Sequence, residues 1–195
     1  FLSETNLFKE KAIVALEGKS SGKIISMTKD IILQVTRYLS VKFFISLLTG
    51  IFVFLGTMVI GLDFPIIWGF LAFVLNFIPN FGSIISGIVT IIFSILQFWP
   101  SPGPVIWVSF VMLSVNMILG NFVEPKVQGR SLGLSPFVII VSLSIWGWIW
   151  GFMGMILAVP VTVILKIVCE NIEFLKPISI LMGSKIPYKT NKEEG

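Results

Sequence analysis

Five polar side chains stand in sequence that is otherwise apolar. Asn76, Asn80 and Asn116 fall inside a charge-free run over 64–123, Asn121 lies near its end, and Glu124 is the first charge beyond it. An amide both donates and accepts hydrogen bonds, and a buried one without a partner costs ~1–3 kcal/mol. Asn116, Asn121 and Glu124 follow one another at spacings of five and three. An acid and two amides approaching a membrane are costly unless they face water or a partner. The five residues are therefore expected to line one substrate path. Their chemistry suits a neutral, hydroxyl-rich small polar solute better than an ion that needs full charge compensation. Interhelical hydrogen bonding, where such contacts average about 0.6 kcal/mol, is the rival role.

Bond-breaking chemistry lacks its residues. The chain has no histidine and one cysteine, Cys169. This excludes an internal disulfide and a Cys/His metal centre. The only aspartates, Asp30 and Asp63, lie outside the apolar runs. No G-x-S-x-G or G-x-x-x-x-G-K-[ST] motif occurs. Ser83, Ser86 and Ser94 fit backbone bonding within a helix better than nucleophilic catalysis. No enzyme, cofactor or metal is expected.

The elements that position the polar residues follow from composition. Of 195 residues, 55% are hydrophobic and 12% charged, and mean hydropathy is +0.98; soluble domains carry about 25% charged residues. Charge-free runs cover 43–62, 64–123 and 131–165, and a spanning helix needs about 20 apolar residues. The fold class expected is all-α, a polytopic helical membrane protein with the lipid bilayer as partner. The alternation of a membrane barrel is missing. The net charge of +4 sits in residues flanking the apolar runs, so nucleic acid is not an expected partner. Spans are expected at about 41–62, 64–79, 81–99, 105–123, 131–147 and 148–168, within a transmembrane domain 41–168. A tail, 169–195, follows.

Seven of the 14 basic residues fall in 1–42, two more are Lys126 and Arg130, and five lie from Lys166 onward. Basic residues favour the cytoplasmic side of an inner membrane, which puts both termini and 124–130 inside. Asp63, 100–104 and 146–151 are then outside, and all six tryptophans gather near those outer junctions. Residues 1–40 read as two amphipathic cytoplasmic helices, broken once at 18–22. The second carries Ile24, Met27, Ile31, Val35 and Leu39 on one face and runs into the first span. The chain opens on Phe1 and shows no signal peptide, so it is expected to be a piece of a longer protein.

Two apolar segments are interrupted. The runs 64–99 and 131–165 would each make a helix over ~50 Å long against a hydrocarbon core of ~30 Å. "NFIPNFG" (76–82) breaks the first with Pro79 and Gly82. "WGWIWGFMG" (146–154) breaks the second with Gly147, Gly151 and Gly154, and Pro160 follows. Re-entrant loops and tight turns between short tilted helices both fit. Broken hydrophobic segments in corresponding places point to a transporter's binding site. "NFIPNFG" also echoes "NFVEPKVQG" (121–129).

The blocks "GFLAFVLNFIPNFG" (69–82), "EPKVQGRSLGLSP" (124–136) and "WGFMGMILAVPVTVILK" (150–166) resemble, in that order, the autoinducer-2 exporter family of bacterial permeases. The resemblance runs from about residue 37 to about residue 173, the C-terminal part of a typical member. It implies a multispanning inner-membrane protein that exports a small polar molecule, autoinducer-2 the leading cargo. Sodium(lithium)–proton exchange, associated with some members, is the alternative. Asn76 stands where many members carry an acid, and Ser135 where a histidine is common, which puts ion handling there in doubt. A non-transporting oligomeric scaffold is the reading of another class. Gly129/Gly133 and Gly147/Gly151 suit helix packing in a homo-oligomer under either. Within 121–130, Pro125 and Gly129 are expected to fix the shape of the lip of the path, and Glu124 to pair with Arg130.

Overall fold

A computed structural model describes residues 21–79, 81–128 and 133–184. The first amphipathic helix, Asn80, Gly129 and Arg130 lie outside the described residues. The described residues form helices and turns with no strand among them. Four helices are long and apolar enough to cross a membrane. The protein is an all-α, polytopic membrane protein.

Helix α1 (Ser21–Ile60) is one continuous rod, so the second amphipathic stretch and the first span are a single element. The lower part of its apolar face does not lie free. Met27, Ile31 and Leu39 pack on a cluster of Tyr38, Leu134, Val159, Val163 and Ile167. Gly61, at φ 82°, ends the helix. Its N–H donates to the Met58 carbonyl at 3.1 Å and the Leu62 N–H to Thr57 at 3.0 Å, closing the last turn as a Schellman motif. Pro65 then opens α2 (Pro65–Leu75), and Phe64 before it takes φ 58°, in the left-handed region rather than the extended one a following proline favours.

With 11 residues, α2 rises only ~16 Å, about half the hydrocarbon core. A turn at Asn76–Pro79 reverses it into α3 (Phe81–Phe98). A Cβ built on Gly82 would sit 1.6 Å from the Leu75 carbonyl oxygen, so the arms cross where no side chain fits. At the open end Gln97 of α3 returns to the start of α2. It accepts from the Asp63 N–H at 2.8 Å and donates to the Gly61 carbonyl at 3.0 Å. The first interrupted segment is thus a hairpin that enters and leaves at the Ile60 end of α1.

Helix α4 (Pro102–Val115) runs into a π-helical stretch (Asn116–Val123) and then α5 (Glu124–Gln128). The second interrupted segment is α6 (Pro136–Asn171), which breaks at Gly151 (φ 61°, ψ −139°). A Cβ on Gly154 would lie 1.8 Å from the Trp146 carbonyl oxygen, and the Trp146 and Trp150 rings stack at 5.2 Å beside the break. Leu143 packs with Ala158, and Leu134 with Val163 and Ile167, so the two arms run antiparallel as a second hairpin. Its base is closed by α7 (Lys176–Met182), where Ser135 N–H donates to Met182 at 3.0 Å and Ser184 N–H to Gly133 at 2.9 Å.

The hairpins enter from opposite ends of α1. Tyr38 touches the base of the second, and Leu62 lies at the base of the first. Between them Asn76, in the turn of the first, donates to Ser46 Oγ at 3.0 Å. Ile78 of that turn is buried against Leu143 and Ala158, one from each arm of the second hairpin.

Gly82→Ala and Gly154→Ala should each lower the detergent-solubilised melting temperature sharply. Overpacking costs about 1–3 kcal/mol, and here the clash is with backbone that cannot step aside. Gly103→Ala, with nothing within 4 Å, should leave it unchanged or slightly higher.

Candidate functional site

The junction of the two hairpins with α1 and α4 frames a half-open cavity of about 870 Å³. Asn76, Asn116, Asn121 and Glu124 all line it, with Pro79 and Pro125 among its walls. Four of the five expected path residues therefore share one space. Gly82 holds the first hairpin's crossing and Gly151, Gly154 and Pro160 shape the second; Pro160 is buried in its returning arm.

The polar residues do not play equal parts. Asn76 is 6% exposed and spends its amide N–H on Ser46, so it locks the hairpin turn to α1 as well as facing the cavity. Asn116 makes one long bond, 3.3 Å, to the Ser83 carbonyl. Asn121 is exposed along the cavity wall. The π-helical stretch is what brings these two together. In an α-helix a residue five positions on is turned by about 140°. The i→i+5 ladder returns it to nearly the same face, and such stretches are frequent at functional sites. The Glu124 N–H accordingly bonds the Leu119 carbonyl, five residues back.

Glu124 pairs with Lys42 of α1, Nζ to Oε1 at 2.6 Å, with side chains 16% and 3% exposed. Arg130, the partner expected from the sequence, lies outside the described residues. Tyr38, one helical turn before Lys42, lines the same cavity, and its buried hydroxyl has no hydrogen-bond partner. Sequence reading used Lys42 only as a topology marker and passed over Tyr38. The signal was available: Tyr38, Lys42, Ser46, Thr49 and Thr57 recur at helical spacings of three, four and eight, and all five are buried. In a span, such a polar stripe faces the interior. Among the described residues no group of His, Cys, Asp and Glu could hold a metal ion.

The chain is an α-helical membrane bundle of two broken hairpins around a cavity that amides and an ion pair help to line, and comparison with known proteins gives the family. The model of the AI-2E family transporter matches residues 1–174, so the chain belongs to that family. It is 40% identical over 182 residues to a "Putative transport protein" of Borreliella burgdorferi, covering 93% of this chain and 50% of that protein. It is 39% identical over 153 residues to the "Putative transport protein YhhT" of Escherichia coli K12, covering 78% and 43%. To the AI-2 transport protein TqsA of the same strain it is 38% identical over 150 residues, covering 77% and 43%. The chain thus spans about half the length of these relatives, or somewhat less.

The ion pair makes a clear demand. Removing one partner leaves an uncompensated buried charge, which costs about 3–5 kcal/mol, whereas removing both is often close to neutral. Lys42→Met should therefore lower the melting temperature strongly, and Lys42→Met/Glu124→Gln should recover most of the loss. Thermal unfolding of the two variants side by side checks this.

Proposed function

We propose that this chain forms the solute-binding part of a bacterial multi-pass inner-membrane transporter that exports a small, neutral, polar solute. An autoinducer-2-like signal is the leading candidate cargo. The observation that carries the reading is the convergence of Asn76, Asn116, Asn121 and Glu124 on one cavity between two hairpins that enter from opposite ends. Membership in the AI-2E family supports transport, and TqsA, an AI-2 transport protein, supports the cargo. Sodium(lithium)–proton exchange is less well supported. The one carboxylate among the described residues that line the cavity already holds a counter-cation, Lys42, inside the protein. A scaffold would need no stripe of amides on a cavity wall.

The orientation in this reading puts both termini and Lys126 in the cytoplasm. The first hairpin then enters from outside and the second from inside. On a Cys169→Ser background, Ser101→Cys should react with an impermeant thiol reagent in intact cells and Ser184→Cys should not; the reverse pattern refutes the orientation. A homo-oligomer is part of the same proposal.

Flux decides the class. Full-length protein in vesicles should move the solute above the empty-liposome background, and a scaffold should not. Asn116→Ala, Asn121→Ala and Asn80→Ala should each lower that flux about 5- to 10-fold, the scale of one hydrogen bond of ~1–1.5 kcal/mol, with little change in melting temperature. Asn76→Ala should lower both, because its amide also holds Ser46. If the first three variants destabilise the protein while the surviving molecules transport normally, these amides are structural and the path lies elsewhere.

A further inference from the structure

Lys42 sets what the cavity can accept. Its ammonium is buried, 3% exposed, and lies 2.6 Å from the Glu124 carboxylate at the wall of the space that Asn116 and Asn121 line. Beside it stands the Tyr38 hydroxyl, 4% exposed and without a partner. Without Lys42, this corner would offer a carboxylate, a phenol oxygen and amide oxygens around one space. Such a set of hard oxygen donors suits a monovalent cation or a protonated amine. With Lys42 present the cation position is already filled, by a charge that cannot leave because it is tethered to α1. An ammonium has three donors, and Glu124 is the acceptor of one. The others can serve a solute oxygen, as can the free Tyr38 hydroxyl.

We propose that Lys42 is a specificity-determining residue of the cavity. Its ammonium stands in the cation position beside Glu124, so that neutral polar solutes are admitted while monovalent inorganic cations and amines are turned away. This rests on reading the cavity as the solute site, and it adds the reason that site prefers uncharged cargo. Tyr38 supplies the neighbouring hydroxyl contact. The device is a case of specificity by exclusion: a cation entering the wild-type cavity meets a like charge at close range, and the burial of that ammonium weakens its screening by water.

The test uses the full-length protein in detergent, with methylammonium chloride as probe and choline chloride at equal concentration as control. Choline matches ionic strength, but its quaternary nitrogen has no N–H to donate to Glu124. Lys42→Met should gain roughly 2–4 °C of melting temperature in methylammonium over choline at about ten times the dissociation constant. Wild type and Lys42→Met/Glu124→Gln should show no difference between the two salts. Lys42→Gln, whose amide can still donate to Glu124, carries the same expectation should Lys42→Met fail to fold. Insensitivity of a folded Lys42 variant overturns the proposal, because no cation position then exists. An equal response in wild type overturns it too, because Lys42 then excludes nothing. Flux of a neutral polar solute through wild-type vesicles is measured separately. Its absence would sink the transport reading while leaving the salt response to judge Lys42 alone.

Discussion

A peptide group in hydrocarbon must find its hydrogen-bond partner within the protein, and this structure breaks its helices twice in segments long and apolar enough to span. Pro79 cannot donate, the Asn76–Pro79 turn leaves helical pairing, and Gly151 departs to φ 61° in the middle of α6. Such breaks survive only when protein or water covers them. Here the first is covered by the second hairpin. Ile78, from the turn itself, is buried between Leu143 and Ala158, and Asn76 beside it is bonded to Ser46 of α1. The rest of the arrangement follows from that contact. Two hairpins entering from opposite ends can meet at their depth only around a common strut, and α1, with 40 residues, supplies it.

The ion pair belongs to the same logic. A buried salt bridge adds little net stability, because desolvating both charges offsets most of their attraction. Its effect is geometric. Lys42 is fixed on α1 and Glu124 opens α5 directly after the π-helical stretch, so the pair sets how far α4 and its continuation extend along α1. That register decides whether Asn116 and Asn121 face the first hairpin's turn. The bond of Asn116 to the Ser83 carbonyl, at the start of α3, shows that Asn116 meets the first hairpin just past its turn. Glu124 and the amides after α4 thus depend for placement on a lysine whose described polar contact is with Glu124 alone.

Much of this was legible in the sequence because hydrophobicity and backbone chemistry are local. Charge-free runs gave the membrane fold, and Pro79, Gly82, Gly151 and Gly154 gave the breaks, since proline and glycine act on their own backbone. The convergence of Asn76, Asn116, Asn121 and Glu124 was legible too, from the cost of leaving such groups unpaired. Pairing was not. Glu124 is 82 residues from Lys42, and no periodicity within one segment reports a contact between two. The hairpin form of the first interrupted segment was equally hidden. It follows from how α2, only 11 residues long, leans on Gly50 and Phe54 of α1 through Gly69. The π-helical stretch was written only as a spacing of five, which an α-helical reading scatters around the rod.

The division of the site among elements bears on how it would work. Tyr38 and Lys42 come from α1, Asn76 from the first hairpin's turn, Asn116 and Asn121 from the π-helical stretch, and Glu124 from α5. The second hairpin contributes Ile139 and Val159 to the wall; it is kinked at Gly151 and bonded at its base to α7 through backbone groups. Among the described residues the hydrogen-bonding groups come from α1, the first hairpin and the α4–α5 stretch, where they alternate with apolar residues such as Ile88 and Met112, and the second hairpin adds apolar side chains alone. In the proposed transport reading a polar solute would be held by the α1 and π-helix groups, where each lost bond costs ~1 kcal/mol. The second hairpin's apolar side chains would hold no such bonds, so they could shift relative to the solute without breaking any. If one wall moves to change access, the second hairpin is the wall whose motion costs least, and the first, tied through Asn76 and Gln97, is the one that stays.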